Sequence, residues 1–238
     1  MAKPEFVLSN TTTFFSGNIE AVFKKAKKFG FKFLELLPYR WNTPEQIYNL
    51  SREYGIEIVG IHMPPAWEKA EKGFFNKVWD FYLGPAKSSP GIHLAETLME
   101  TKQNPVPYLL FHADLVEQVP PEEQARLKNN FRLAIENVSR QPLKPPIMIF
   151  DPSHYLLSPH RHPEKDIAEI YRQLEPEVLH VGFDYPPLLH ALPKPREQRL
   201  LLRMLKLWQP RYIVIETNPA VSVKKAKTLL EDIVASTG

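Results

Sequence analysis

The sequence predicts a single (β/α)8 barrel, and three observations carry that prediction. Short, wholly apolar segments alternate with helix-patterned ones along most of the 238 residues, and strands apolar on both faces belong to a parallel sheet covered on both sides. Eight such strand segments can be placed, enough to close a ring rather than form an open sheet in a chain of this length. From the second strand onward each segment finishes, or nearly finishes, on an acid or an imidazole, the pattern expected when parallel strands open onto one mouth.

The elements follow in order. Residues 6–9 read as a buried strand, and Asn18 caps a helix whose Ile19, Val22, Phe23, Ala26 and Phe29 keep helical spacing up to the stop at Gly30. Residues 31–37 form the second strand. Thr43-Pro44-Glu45-Gln46 then supplies an N-cap, a proline at the first helical position and a capping-box glutamine. That helix carries Ile47, Leu50 and Tyr54 on one side and ends at Gly55, before a third strand at 56–61. Further strands are expected at 108–111, 133–135, 147–150, 178–181 and 212–215, and helices at 121–130, 163–174, 196–208 and 222–234. Two stretches depart from a regular βα repeat. Residues 64–107 are too long for one crossover and imply an insertion after strand 3, with helical excursions at 74–82 and 92–99. Residues 139–145 are too few for a helix between strands 5 and 6, so that crossover is shortened to an extended return, which seven residues can make across roughly 23 Å. No repeat or linker interrupts the chain, so residues 1–238 read as one domain.

Composition narrows the functional classes. Hydrophobic residues at 43% and charged residues at 24% are ordinary globular values. A net charge of +3 permits an anionic substrate without the clustered excess of a dedicated nucleic-acid binder. Cysteine is absent, so any metal must be held by histidine and carboxylate. No stretch is long and apolar enough for a membrane span or a signal h-region, so no membrane is expected as a partner and a cytoplasmic location is the default reading. With 9 Gly and 24 Pro and no Gly-rich cradle, no phosphate site can be read.

The chemistry lies at the strand ends: Glu35 (FLELL), His62 (GIHMPP), His112 (LLFHAD), Glu136 (AIENVS), Asp151 (MIFDPSH), His180 (LHVGFD) and Glu216 (IVIETN). Asp and Glu number 27 and His 8 among all residues, too few for chance to place one at so many consecutive strand ends. Acids converging on one mouth repel one another unless a cation neutralises them. Mixed imidazole and carboxylate ligands suit zinc, manganese, cobalt or iron better than calcium, and magnesium stays in the set of candidate divalent ions. Taken alone, Glu35 reads as a mouth carboxylate paired with Arg40 or as a substrate-orienting group. His62 and His112 read singly as hydrogen-bonded mouth histidines and jointly as functional. His160 and His162 read as solvated loop residues, and Lys24, Lys25, Lys27 and Lys28 as an outer helix face.

In its motifs the sequence resembles the xylose isomerase-like barrel superfamily, which joins sugar and sugar-phosphate isomerases and epimerases with endonuclease IV-type apurinic/apyrimidinic endonucleases. The likeness rests on NIEAVFKKAKKFGFKFLEL, the Glu-Asn of AIENVS, the Asp-x-x-His of DPSH, LHVGFD, LLHALP and the Glu of IVIET, in that order, and spans nearly the whole chain outside residues 64–107. It implies Glu136, Asp151, His180 and Glu216 as metal ligands. In the isomerase branch Glu136 and Glu216 would remove and return a carbon-bound proton, with an enediolate stabilised electrostatically. His154 and His62 would contact oxygens of a small sugar-like substrate, and Trp41 and Trp67 would either wall the pocket or simply pack. In the endonuclease branch, with DNA as partner and up to three zinc ions, His62, His112, His154 and His190 have counterparts. That branch carries an Asp where Leu188 stands here, with Asp184 the nearest substitute. No basic and aromatic run suited to gripping a duplex is present. A barrel that binds a ligand or metal without catalysis is the third reading, and a homo-oligomer stays open.

Overall fold

The computed structural model describes residues 3–68, 74–101, 107–139, 142–144, 146–161, 166–185 and 188–238. Its first half runs β1 (Glu5–Ser9), α1 (Glu20–Lys28), β2 (Phe33–Leu36), α2 (Pro44–Tyr54), β3 (Glu57–His62), α3 (Phe74–Tyr82), α4 (Pro90–Glu100) and β4 (Tyr108–His112). The short α5 (Ala113–Val116), α6 (Pro121–Asn130), β5 (Arg132–Glu136), β6 (Ile149–Phe150), α7 (Pro152–Leu157) and α8 (Ile167–Leu174) follow. The chain ends with β7 (Val178–Val181), a hairpin of β8 (Phe183–Tyr185) and β9 (Leu188–Ala191), α9 (Pro195–Leu207), β10 (Tyr212–Ile215) and α10 (Val223–Ala235). Strands β1 to β7 and then β10 form a closed barrel in which every neighbouring pair is parallel, and β8 pairs with β9 outside it.

Period-two alternation sorts each strand between two cores. Val7, Leu110, Ala134, Ile149, Val178 and Val214 point into the barrel and pack there with Val59, Tyr108 and Tyr212. Their strand neighbours Leu8, Leu109, Phe150, Leu179 and Ile213 point outward against helix residues such as Phe23, Ile47, Leu127, Tyr171, Leu201 and Leu230. Adding two to an inward residue reaches the next inward layer at the mouth. Thus Leu110 leads to His112, Ala134 to Glu136, Ile149 to Asp151, Val178 to His180 and Val214 to Glu216. The alternation that fills the barrel therefore delivers the ligand-type side chains to one layer.

Local signals behave as the sequence implies at α2, where Thr43 accepts the Gln46 N–H and Gly55 ends the helix at φ 62°. The Gln46 side chain accepts from Asn42 instead of closing a reciprocal capping box. Strands β3, β4 and β5 each run on to include His62, His112 and Glu136. Helix α8 begins at Ile167, capped by Asp166; residues 162–165, in the region where its start was expected, lie outside the described residues. Between β3 and β4 the insertion holds α3 and α4, and between β5 and β6 no helix occurs among the described residues. Pairing of β5 with β6 is correspondingly thin, a single register pair of Glu136 with Ile149. The Asn137 side chain staples that seam, donating to the Asp151 carbonyl at 2.9 Å and accepting the Asp151 N–H at 2.8 Å.

Candidate metal centre

His62, His112, Glu136, Asp151, His154, His180 and Glu216 meet at the C-terminal mouth, and His180 is the deepest. It is fully buried, its Nε2–H donates to Glu35 Oε2 at 3.1 Å, and its Nδ1 lies 3.0 Å from both Glu136 Oε1 and Glu216 Oε2. Neither Nδ1 contact is aligned as a hydrogen bond: His180 Nδ1, both Glu136 oxygens and Asp151 Oδ2 are buried without a hydrogen-bond partner. One ligand atom from each of Glu136, Asp151, His180 and Glu216 falls within 4.8 Å of all the others. Stranded acceptors packed this closely are expensive to keep dry unless a cation satisfies them. One nitrogen and three carboxylates, with the imidazole's far nitrogen held by another carboxylate, fit a divalent first-row ion. The four residues expected as ligands are therefore gathered, and the chemistry of the set fits the group.

Local devices shape the site around these ligands. Asp151 divides its carboxylate: Oδ1 caps α7 by accepting the N–H groups of Ser153 and His154 at 2.6 and 3.1 Å, which leaves Oδ2 for the mouth. Gly182 lets β7 leave the barrel beside the Glu216 backbone, because a Cβ there would sit 1.9 Å from the Glu216 carbonyl oxygen. His154, in the first turn of α7, donates from Nδ1 to the Asn137 carbonyl at 2.9 Å, so its Nε2 is the free nitrogen.

Without a cation the charges balance through the histidines. Burial opposes charge on His180, but the surrounding Glu35 and Glu136 carboxylates outweigh it and hold the imidazole well above its ordinary value. Burial likewise opposes ionisation of Glu136 and Glu216. The charge on His180 and the closeness of His112 nevertheless keep Glu136 well below the usual range, and the adjoining charged His180 brings Glu216 down to about 2. Burial pushes Asp151 up to about 6, and His154 is raised to about 9 against its own burial by Asp151 and Glu136. A proton on His180 Nδ1 thus stands where a cation would bind.

A second set shares Glu136. His62 Nε2 and His112 Nε2 approach Glu136 Oε2 at 3.9 and 3.4 Å, with ligand atoms of all three within 4.8 Å of one another. His62 is oriented by its Nδ1–H donating to the Met63 carbonyl, and its ring stands edge-on to His112 with centroids 4.9 Å apart. Burial and the neighbouring His112 hold His62 below its ordinary value, so it is a neutral donor. Glu136 therefore presents one oxygen to each set.

Other expected residues lie elsewhere. Glu35 does not face the mouth: it is fully buried behind His180, and its partners are His180 and Tyr108, while Arg40 rests over the Phe81 ring. On the hairpin, Asp184 accepts the His190 N–H at 2.7 Å. No third ligand set around His154, Asp184 and His190 assembles among the described residues. Trp41 is 45% exposed, stacks on Tyr39 at 5.3 Å and donates to the Gly17 carbonyl, whereas Trp67 is buried in the outer core. His93 pairs with Glu96 on the outside, and Lys24 pairs with Glu20 on α1. His160 is exposed and His162 lies outside the described residues. Sequence reasoning missed Asn137 as the staple, although it sits beside Glu136 in AIENVS, and it missed Tyr108, Gly182 and the hairpin.

No protein-family profile and no curated protein sequence matches the chain. Solved structures do. A xylose isomerase domain-containing protein from Salmonella typhimurium LT2 superposes at TM-score 0.60 with 13% identity, covering 100% of this chain and 99% of that one. The fold is a (β/α)8 TIM barrel, shared with that protein. A xylose isomerase-like TIM barrel/4-hydroxyphenylpyruvate dioxygenase fusion protein aligns at TM-score 0.57 and 14% identity, over 99% of this chain and 43% of its own length. The apo 3-keto-D-glucoside 4-epimerase of E. coli aligns at TM-score 0.56 and 12% identity, over 98% and 100%. Identities this low speak to architecture alone, and in a closed parallel barrel the mouth is where chemistry is read.

Proposed function

We propose that this chain is a divalent-metal-dependent isomerase or epimerase acting on a small sugar or related polyol ketone. The observation that carries the reading is the placement of Glu136 and Glu216 against the same nitrogen, His180 Nδ1, each 3.0 Å away. Both carboxylates are held ionised, the state a proton acceptor needs. A divalent ion held by Glu136, Asp151, His180 and Glu216 supplies stabilisation of negative charge on a substrate oxygen. One glutamate takes the carbon-bound proton and the other returns it, on the same or the neighbouring carbon. His154, charged and with Nε2 free, orients a substrate oxygen, and His62 borders the same space. The superposition on a sugar epimerase supports this reading through the fold alone.

The test is turnover of a ketose panel in deuterated water with zinc, manganese, cobalt or magnesium supplied. Deuterium should enter at a carbon position, and the incorporation should vanish in Glu136→Gln and Glu216→Gln. Turnover that persists in chelator, or no exchange with any ketose, defeats the proposal.

A second reading is favoured by one specific feature, the His62–His112–Glu136 set beside the first. Were each set to hold an ion, the pair would suit in-line displacement at a phosphodiester, as on abasic DNA. Metal content separates the two: one ion per chain supports proton transfer, and two or three with cleavage of an abasic oligonucleotide support hydrolysis. A barrel that only binds would show metal uptake with neither activity.

A further inference from the structure

Beneath the ligand layer a tyrosine reaches up from the opposite end of the barrel. Tyr108 is the first residue of β4, four residues before His112, and is buried in the inner core. Its hydroxyl donates to Glu35 Oε2 at 2.7 Å, and the same oxygen accepts from His180 Nε2 at 3.1 Å. The ring needs room that only a glycine leaves. Gly60 is the register partner of Tyr108 in β3, and a Cβ built there would lie 2.5 Å from two ring carbons and 2.8 Å from the hydroxyl oxygen. Gly60 is itself paired with Glu35 across a register shift in β2 and β3, so one irregularity in the barrel seats both partners.

We propose that Tyr108, housed by Gly60, is a positioning residue for the metal centre: through Glu35 it fixes the ring plane and tautomer of His180, so that Nδ1 faces the ion. The argument rests on the metal-site reading given above. An imidazole that ligates through one nitrogen is oriented by whatever accepts from the other, and losing that partner weakens metal binding roughly 10- to 100-fold. Glu35 alone could swing, since its Oε1 has no hydrogen-bond partner; the phenol pins Oε2 beneath the imidazole. Burial, reinforced by the charge of Glu35 and its hydrogen bond, pushes the Tyr108 phenol well above its ordinary value, so it remains a donor at any working pH. The chain Tyr108–Glu35–His180 thus runs from the inner core to the mouth and has no access to solvent.

The experiment measures affinity of the full chain for Co2+ by competition with a chromogenic chelator, together with the visible ligand-field spectrum of the cobalt form. Tyr108→Phe keeps the ring and removes the hydroxyl. It should weaken Co2+ binding roughly 10- to 100-fold and shift the ligand-field bands, as the freed imidazole tilts. Tyr212→Phe alters another tyrosine of the inner core and should change neither. Should Tyr108→Phe fail to fold, Glu35→Gln tests the same link, with the same expected loss and band shift. Unchanged affinity and spectrum in whichever of the two folds overturns the positioning role and leaves the metal site standing. A wild-type chain that takes up no divalent ion overturns the site itself, and this inference with it.

Discussion

The two sides of the mouth are built to different standards. On the side of β5, β6, β7 and β10, the fixings are several: Asn137 joins the two strand ends, Asp151 is locked by capping α7, and His180 is held from below by Glu35. On the side of β3 and β4, His62 has one backbone partner and His112 leans toward Glu136 with a side chain 21% exposed. Rigid fixings prepay the ordering cost of binding, and loose ones leave it to the ligand. The first set therefore reads as a standing site, and the second as one completed by what enters. Glu136 belongs to both, so it is the place where the comparison can be broken outright.

Glu136→Gln should have the largest effect, lowering turnover on the order of 1000-fold by removing a proton-transfer group and weakening ion binding at both sets; steady-state rates with isothermal titration check it. Next comes Asn137→Ala, which strips two buried hydrogen bonds from the Asp151 backbone. The expected cost is about 2–3 kcal/mol of stability by denaturant titration, with roughly tenfold weaker metal binding. A pH series sharpens the contrast further. His180 is held protonated by Glu35 and Glu136 despite burial, and the ion must displace its Nδ1 proton. Affinity should therefore rise with pH through neutrality, by about tenfold per unit while one proton is released, and flatten above the folded value. Titrations in buffers of different ionisation enthalpy count that proton directly. His112→Ala should do least to the standing site, shifting the first ion's affinity by no more than about threefold while abolishing any second ion. Equal damage from His112→Ala and Glu136→Gln would erase the distinction between the two sides.

Much of this arrangement is legible in the sequence because its cause is periodic. An apolar strand of alternating direction that ends in an acid or an imidazole generally delivers that side chain to the mouth, so Glu136, Asp151, His180 and Glu216 could be singled out at their strand ends. What stayed hidden depends on partners distant in sequence. Glu35 looks like its neighbours at the strand ends, yet it sits one layer down, level with Gly60 and Tyr108 rather than with His62, and meets Tyr108 and His180 there. Tyr108 lies 73 residues from its acceptor, and nothing local distinguishes it from a core tyrosine. The hairpin of β8 and β9 was unreadable for a different reason: its strands are short, and His190 takes a left-handed backbone at φ 50°, an uncommon conformation for a residue with a Cβ.

The divided carboxylate of Asp151 carries a consequence for observation. One oxygen anchors the first turn of α7 while the other faces the ligand layer, so occupancy at the mouth is mechanically tied to a six-residue helix. That helix carries Tyr155, whose ring lies 6.0 Å from Phe150, itself 5.6 Å from Tyr171. Filling the mouth should thus perturb an aromatic triplet in the wall, giving the near-ultraviolet dichroism of the unlabelled chain an intrinsic gauge of whether an ion is home.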